Sequence, residues 1–302
     1  TAIAVGTGVG VNTLMSRYDG QGNHHLADRT AGTGTVLALI SWLIFAVLSG
    51  LLMRPFAAIS TESSSVADLA VTYGTIVCVG SPGVFLESTW SKVHQARGNM
   101  RLPMLAQIAG AAANIVLDPL LIFGLFGLPA LGIAGAAIAT VAGQIVAAMI
   151  VYRGGFRPSP APRLYPALMR RIYRLGVPNI LMQSAYTFYI LGLNLILKTF
   201  SDQAVTTLGL YYKWQTFFFI PLGAMQTCIV PVISFNYAAR KLDRCKSTMK
   251  VSALFGLGMM FLGALVFEFF PVQMVQVFTP DPLVADIAKV GFRFVGVSFL
   301  PQ

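Results

Sequence analysis

Asp118 interrupts an apolar stretch that opens near Pro103 and continues to Leu131. On a helix it lies roughly 22 Å beyond Pro103, deep in any span that starts there. A carboxylate at that depth costs roughly 2.5–3.5 kcal/mol on insertion scales, unless it faces a cavity or a partner. Such a group suits the loading and release of a proton or a small cation. Asn114 sits one turn earlier on the same face and can hydrogen-bond either protonation state. Pro119 removes one helix hydrogen bond, and a carbonyl freed in this way can coordinate a cation where it lines a cavity. These residues form a cation-coupling set for H⁺, or for Na⁺ held near Asp118. Thr140, one helix on, is its third member; the alternative is a hydroxyl bonded back to its own helix. Glu87 is the fourth. It lies near the end of an apolar run with Lys92 beyond it, and either faces a cavity or snorkels to the interface.

A second polar set falls within the later apolar runs: Gln183, Tyr186, Tyr189, Asn194, Lys213 and Gln215. These are the candidate substrate-cavity residues. Tyr186, Tyr189, Tyr211 and Trp214 offer ring faces to flat cations; for Tyr211 an interfacial aromatic belt is the preferred reading. Lys213 is expected to pair with a carboxylate or to sit near the outer interface. No DDxxD, HExxH or GxxxxGK[ST] motif is present, so no enzyme is expected. The three cysteines form no spaced pair, which points to neither a disulfide framework nor a zinc site. His24, His25 and His94 fall in basic segments read as solvated loops. No cofactor is expected beyond the coupling ion.

The elements that carry these residues follow from composition. The 302 residues are 56% hydrophobic and 11% charged, with mean hydropathy +0.71, against about 25% charged in soluble domains. Uncharged runs cover 30–53, 103–117, 131–152, 175–197, 214–239 and 251–267, and most reach the length of a spanning helix. The fold class is therefore all-α and integral to a membrane. Spans are predicted at 1–16, 31–53, 68–90, 103–123, 131–152, 175–198, 206–235, 250–270 and 285–302. The net charge of +10 does not indicate nucleic acid. Sixteen of the 21 Lys and Arg lie in four segments, 17–29, 92–101, 153–174 and 240–250, which alternate with segments poor in both. That is the positive-inside pattern, so these loops are placed in the cytoplasm, with the chain in a membrane and in contact with lipid.

The chain also repeats itself. Val66-Ala67-Asp68-Leu69-Ala70 recurs as Val284-Ala285-Asp286-Ile287-Ala288, an offset of 284 − 66 = 218. Ser16 and Ser234 keep the offset, as do Thr61 and Thr279; Pro82 and Pro301 lie 219 apart. Two copies of one bundle suggest a transporter. Both ends fall inside apolar runs, so the chain is read as a fragment, from the second to the tenth helix of a twelve-helix parent. It divides into a first lobe (1–152), a basic, proline-rich cytoplasmic linker (153–174) and a second lobe (175–302). The two pseudo-symmetric six-helix lobes of the parent run the same way through the bilayer.

Several motifs occur in order: Gln95-Ala96-Arg97-Gly98-Asn99, Pro103, Asn114-Ile115-Val116-Leu117-Asp118-Pro119-Leu120 and Gly135-Ala136-Ala137-Ile138-Ala139-Thr140. The second copy adds Tyr212-Lys213-Trp214-Gln215-Thr216-Phe217 and Pro231-Val232-Ile233-Ser234-Phe235-Asn236-Tyr237. The set resembles the multidrug and toxic compound extrusion (MATE) transporters, particularly the bacterial members, over the whole chain. It departs at Ala238-Ala239, where the family often has Gly-Ala. The resemblance implies two lobes facing each other as a V. It implies export of amphipathic, often cationic, organic small molecules in exchange for H⁺ or Na⁺, by alternating access. It also places Asn114 and Asp118 at cation-site positions. Some relatives carry a carboxylate in the helix at 175–198, which this chain lacks. A monomer is expected. The alternative within the superfamily is a flippase for lipid-linked precursors, which calls for a strongly basic cavity; here the arginines lie in loops.

Overall fold

Long runs of Leu, Ile, Val, Ala and Phe without strand-type alternation can satisfy their backbone in lipid only as helices. The computed structural model describes residues 2–60, 64–127, 129–160, 164–279 and 282–297. These form helices and turns, with no strand among them. The helices are α1 (Ala2–Gly20), α2 (His24–Ser60), α3 (Ser64–Val79), α4 (Pro82–Ala96), α5 (Arg101–Phe123) and α6 (Ile133–Gly155). They continue as α7 (Tyr165–Lys198), α8 (Asp202–Ala238), α9 (Leu242–Phe269), α10 (Pro271–Gln276) and α11 (Pro282–Val297). A 3-10 turn, Leu125–Gly127, follows α5. Five helices among the described residues are long and apolar enough to cross a membrane: α2, α5, α6, α8 and α9.

Three expectations change. The span predicted at 68–90 is two helices, α3 and α4, bent by 43°. Pro82 opens α4 and supplies no backbone donor there, while the Ser81 hydroxyl donates to the Cys78 carbonyl at 2.7 Å. The linker predicted at 153–174 is shorter, because α7 begins at Tyr165 and takes in Arg170, Arg171 and Arg174; Pro162 and Arg163 lie outside the described residues. Among the described residues α7, predicted as a span at 175–198, does not reach spanning hydropathy, because polar residues thread it. The last predicted span, 285–302, lies partly outside the described residues.

The helices fall into two compact units. The first runs to Leu181 and includes Tyr237–Arg240. Its core packs Val11, Leu14 and Met15 of α1 against Ala27, Ala31 and Leu37 of α2, Val93 and Ala96 of α4, and Leu168 and Ile172 of α7. α1 and α4 run parallel. Asn12 Nδ2 donates to the Lys92 carbonyl at 2.9 Å, and Ser16 Oγ to that of Ala96 at 3.4 Å. α7 crosses α1 on glycines: a Cβ at Gly10 would collide with the Ile172 carbonyl, and one at Gly176 with that of Gly6. At one end of the unit Asp28 accepts from Arg97 at 2.6 Å and from Arg157 at 2.9 Å, while Arg171 donates to the Tyr18 hydroxyl at 2.6 Å. The second unit comprises Met182–Asn236 and the chain from Lys241 onward. Its core gathers Leu210 and Tyr211 of α8, Phe267 of α9, Met274 and Val275 of α10, and Val284, Ala288 and Phe292 of α11.

The repeat is visible in the helix ends. α1 ends at Gly20 and α8 at Ala238; α2 starts at His24 and α9 at Leu242; α3 and α11 start at Ser64 and Pro282. All three pairs are 218 apart. Thr61 and Pro301, members of two expected repeat pairs, lie outside the described residues. The turns agree in detail. Gly22 N–H donates to the Asp19 carbonyl and Asn23 N–H to that of Tyr18, at 3.0 and 2.8 Å. Arg240 N–H donates to the Tyr237 carbonyl and Lys241 N–H to that of Asn236, at 3.1 and 2.9 Å. This is a Schellman helix end, which needs a left-handed residue after the helix. Gly22 supplies it at φ 77°, whereas Arg240 adopts φ 58° despite its Cβ. The α4–α5 turn is built alike, with Gly98 at φ 80°. That accounts physically for the Arg97-Gly98-Asn99 motif. Asn23 and Asn99 then accept from the Leu26 and Leu102 N–H groups, capping α2 and α5.

Candidate functional site

Asp118 lies on α5, which packs along α6. The two helices are antiparallel and close. A Cβ at Gly143 would come within 3.2 Å of the Asn114 Cβ, and one at Gly135 would press on the Leu121 backbone. Gly110, Asn114 and Leu121 therefore form the stripe of α5 that faces α6. Asp118, one turn from Asn114, falls on the flank of that stripe and is half-buried. Ile115, Val116 and Phe123, at 70%, 59% and 70% exposure, point elsewhere. Asn114 Nδ2 reaches Asp118 Oδ1 at 3.4 Å. α5 continues as a helix through Pro119 and ends four residues later. There Gly124 takes φ 70° and donates to the Leu120 carbonyl. Pro119 has no N–H, so the Ile115 carbonyl one turn back loses its i+4 donor. A carboxylate, an amide and a carbonyl deprived of its usual donor thus share two turns of one helix.

The antiparallel register sets Thr140 near the level of Asp118, but its hydroxyl donates to the Ala136 carbonyl of its own helix at 2.9 Å. Glu87 belongs to a different arrangement. It is buried on α4, and its Oε1 accepts from Ser91 Oγ at 2.7 Å and from Gln107 Nε2 of α5 at 2.9 Å. Gln107 was not singled out from the sequence. It lies seven residues before Asn114 and eleven before Asp118, a spacing that puts all three on one face of α5. His94, expected in a solvated loop, is buried on α4 instead. α6 breaks at Arg153 and Gly154, and His94 Nε2 bonds the Val151 carbonyl there at 3.1 Å.

The second polar set is only partly gathered. Tyr186 of α7 meets Tyr212 of α8 edge-on, with ring centroids 6.5 Å apart. Tyr189 is exposed one turn on, Gln183 is half-buried, and Asn194 Nδ2 donates to the Ile190 carbonyl of its own helix at 2.9 Å. Gln215 is buried, with its Oε1 lacking a hydrogen-bond donor among the described residues. Lys213 stands over the Phe278 ring at 4.9 Å, so its described partner is a π face rather than a carboxylate. The aromatic belt expected for Tyr211 is wrong. Tyr211 is 4% exposed and packs edge-on against Phe267 and Phe292 in the second unit's core. Trp214 Nε1 bonds the Met274 carbonyl at 2.9 Å. Tyr212 and Phe278 were missed as members of this group, since each meets its partners only across helices. Among the described residues no group of three or more His, Cys, Asp or Glu is placed to hold a metal ion.

Comparison with known proteins gives a consistent answer. The MatE family profile matches residues 1–120 and 178–302. The chain is 26% identical over 302 residues to the multidrug export protein MepA of Staphylococcus haemolyticus (strain JCSC1435), covering 97% of this chain and 65% of that protein. It is 26% identical over 293 residues to an FAD transporter of Shewanella oneidensis, covering 95% and 65%. The chain thus spans 65% of the length of these curated relatives. Among solved structures, MATE in the bent conformation matches with a TM-score of 0.87 at 19% identity, over 99% of this chain and 67% of its own. A MOP superfamily transporter from Pyrococcus furiosus matches with 0.84 at 18% identity, over 99% and 68%. At such identities the structural likeness establishes the fold, and the profile match establishes the family: this chain belongs to the MatE family of integral membrane proteins.

Proposed function

We propose that the chain is the larger part of a secondary antiporter that exports amphipathic or cationic organic compounds in exchange for H⁺ or Na⁺. The observation that carries this reading is the Asn114–Asp118 pair beside Pro119 on an otherwise apolar span. A lone acid at membrane depth is a functional hypothesis by default. When the cation loads Asp118, the carboxyl loses its charge or gains a counter-ion, and Asn114 remains able to bond either form. Export requires that the cation bind two conformations with different affinity. Alternating access between two lobes, joined by the basic linker, meets that requirement. Thr140 and Glu87 complete the coupling set, Glu87 by way of Gln107, which shares one face of α5 with Asn114 and Asp118. Gln183, Tyr186, Tyr189, Asn194, Lys213 and Gln215 are assigned to the substrate path, where the tyrosine rings suit flat cations. The basic segments face the cytoplasm, the protein lies in the inner membrane, and it works as a monomer.

The test is Asp118→Asn in the full-length transporter. Export of a cationic dye should fall at least tenfold while the amount of protein in the membrane is unchanged. Undiminished export would remove Asp118 from the mechanism. Assaying flavin nucleotide export alongside the dye separates the two cargo types for which the relatives are named.

A further inference from the structure

A groove runs between α4 and α6 of the first unit, with a volume of about 220 Å³. Its walls are Leu86 and Trp90 of α4 and Ile145, Met149 and Tyr152 of α6. The three α6 residues are spaced i, i+4, i+7, so they form one stripe. They are exposed by 42%, 61% and 49%. Its floor is low for a steric reason. A Cβ at Gly83 would lie 2.9–3.0 Å from the Gln144 backbone, so α4 and α6 touch there, and Ala148 adds only a methyl. The named walls offer no hydrogen-bonding group apart from the Tyr152 hydroxyl, since Trp90 Nε1 is already committed to Thr35 Oγ1 at 3.0 Å. Such a channel rejects peptides and sugars and accepts hydrocarbon.

One end of the groove differs. Tyr152 stacks on Phe156 at 5.5 Å, and Trp90 meets both rings edge-on, at 5.4 and 6.5 Å. Clusters of Trp and Tyr belong at headgroup depth. Immediately beyond Tyr152 the helix breaks, with Arg153 at ψ 111° and Gly154 at φ 87°. Arg153 is exposed and forms no ion pair among the described residues, whereas Arg157 is held by Asp28. An apolar channel that ends in aromatic rings and an unpaired guanidinium complements one kind of molecule.

We propose that this groove holds an acyl chain of an anionic membrane phospholipid, with the lipid phosphate at Arg153. The inference goes beyond the transport reading and does not depend on the substrate or on the coupling ion. A single arginine near the surface favours an anionic over a zwitterionic headgroup by about fivefold. Trp90 is a built-in reporter. In the full-length transporter every tryptophan except Trp90 is replaced by Phe, Trp42 and Trp214 included, so that Trp90 alone reports. Reconstituted with phospholipids brominated on the acyl chain, its fluorescence should be quenched by phosphatidylglycerol at several-fold lower mole fraction than by phosphatidylcholine. Arg153→Gln should erase that difference, and Ala148→Leu should weaken quenching by both lipids. Equal quenching by the two lipids with Arg153 present overturns the proposal. So does a preference for phosphatidylglycerol that survives Arg153→Gln. Loss of the preference in inorganic phosphate but not in sodium chloride of equal ionic strength would assign Arg153 to a free anion and overturn it too. Arg153 is exposed, so its variant keeps the test valid if Ala148→Leu fails to fold.

Discussion

Asp118 and Glu87 are both carboxylates on apolar helices, and their neighbours separate them. Glu87 is buried and accepts two short hydrogen bonds from two different helices; Asp118 is half-buried with one long contact. Glu87 is therefore fixed in place, while Asp118 is free to exchange partners. Glu87→Ala should destabilise the protein by about 1–3 kcal/mol, because the buried Ser91 and Gln107 donors lose their acceptor. Glu87→Gln should cost clearly less, since its carbonyl still accepts. Thermal unfolding in detergent measures both; equal melting temperatures for the three proteins would show that the contacts contribute nothing. Asn114→Ala should lower dye export less than Asp118→Asn does, at equal membrane abundance. The Asn114–Asp118 contact was legible in the sequence because i, i+4 spacing on a helix dictates it. The Glu87–Gln107 contact was not, because it joins residues 20 apart on different helices. Tyr211 failed for the same reason: a tyrosine in an apolar run suits an interface or a core equally, and Phe267 and Phe292 decide for the core.

At the scale of the elements, three turns are variations on one design, and the second copy has the poorest version. Arg240 holds a left-handed conformation that strains an L-residue by roughly 1–2 kcal/mol, and Lys241 gives α9 no side-chain cap. Arg240→Gly should therefore stabilise by about 1 kcal/mol, and Lys241→Asn should add a similar amount through capping. A thermal melt that does not rise in the double variant would contradict this account of the turn. The α1–α7 crossing gives the opposite sign. Gly10→Ala places a methyl against the Ile172 carbonyl and should destabilise by about 1–3 kcal/mol. Gly209→Ala, which meets nothing within 4 Å, should be mild by comparison. The glycines were visible in the sequence as packing residues, but which helix each one admits was not. The break at Gly80–Ser81 does carry a signal, Gly80-Ser81-Pro82-Gly83, but no charge separates the apolar residues on its two sides, so composition alone reads one span.

For the whole molecule, the 218-residue offset makes a geometric prediction. Gln21 and Ala239 are equivalent positions in the two copies, in turns closed by the same pair of backbone hydrogen bonds. Copies that run the same way place both on one face of the membrane. In a background with Cys78, Cys228 and Cys245 replaced, Gln21→Cys and Ala239→Cys should both resist a membrane-impermeant thiol reagent in intact cells. Both should react in inverted vesicles. Labelling of the two from opposite sides would refute the parallel repeat. By itself the sequence determined the helical membrane class, the repeat and the family resemblance. Each of these follows from composition or from order along one chain, which the bilayer reads directly through the cost of exposing backbone and charge. Only the tertiary structure decided which polar groups meet, that His94 and Tyr211 are buried, and that α4 and α6 leave a groove. Those outcomes depend on where separate helices touch, and lipid-facing and helix-facing apolar residues look alike in a sequence because hydrocarbon and a packed interior are equally good solvents for them.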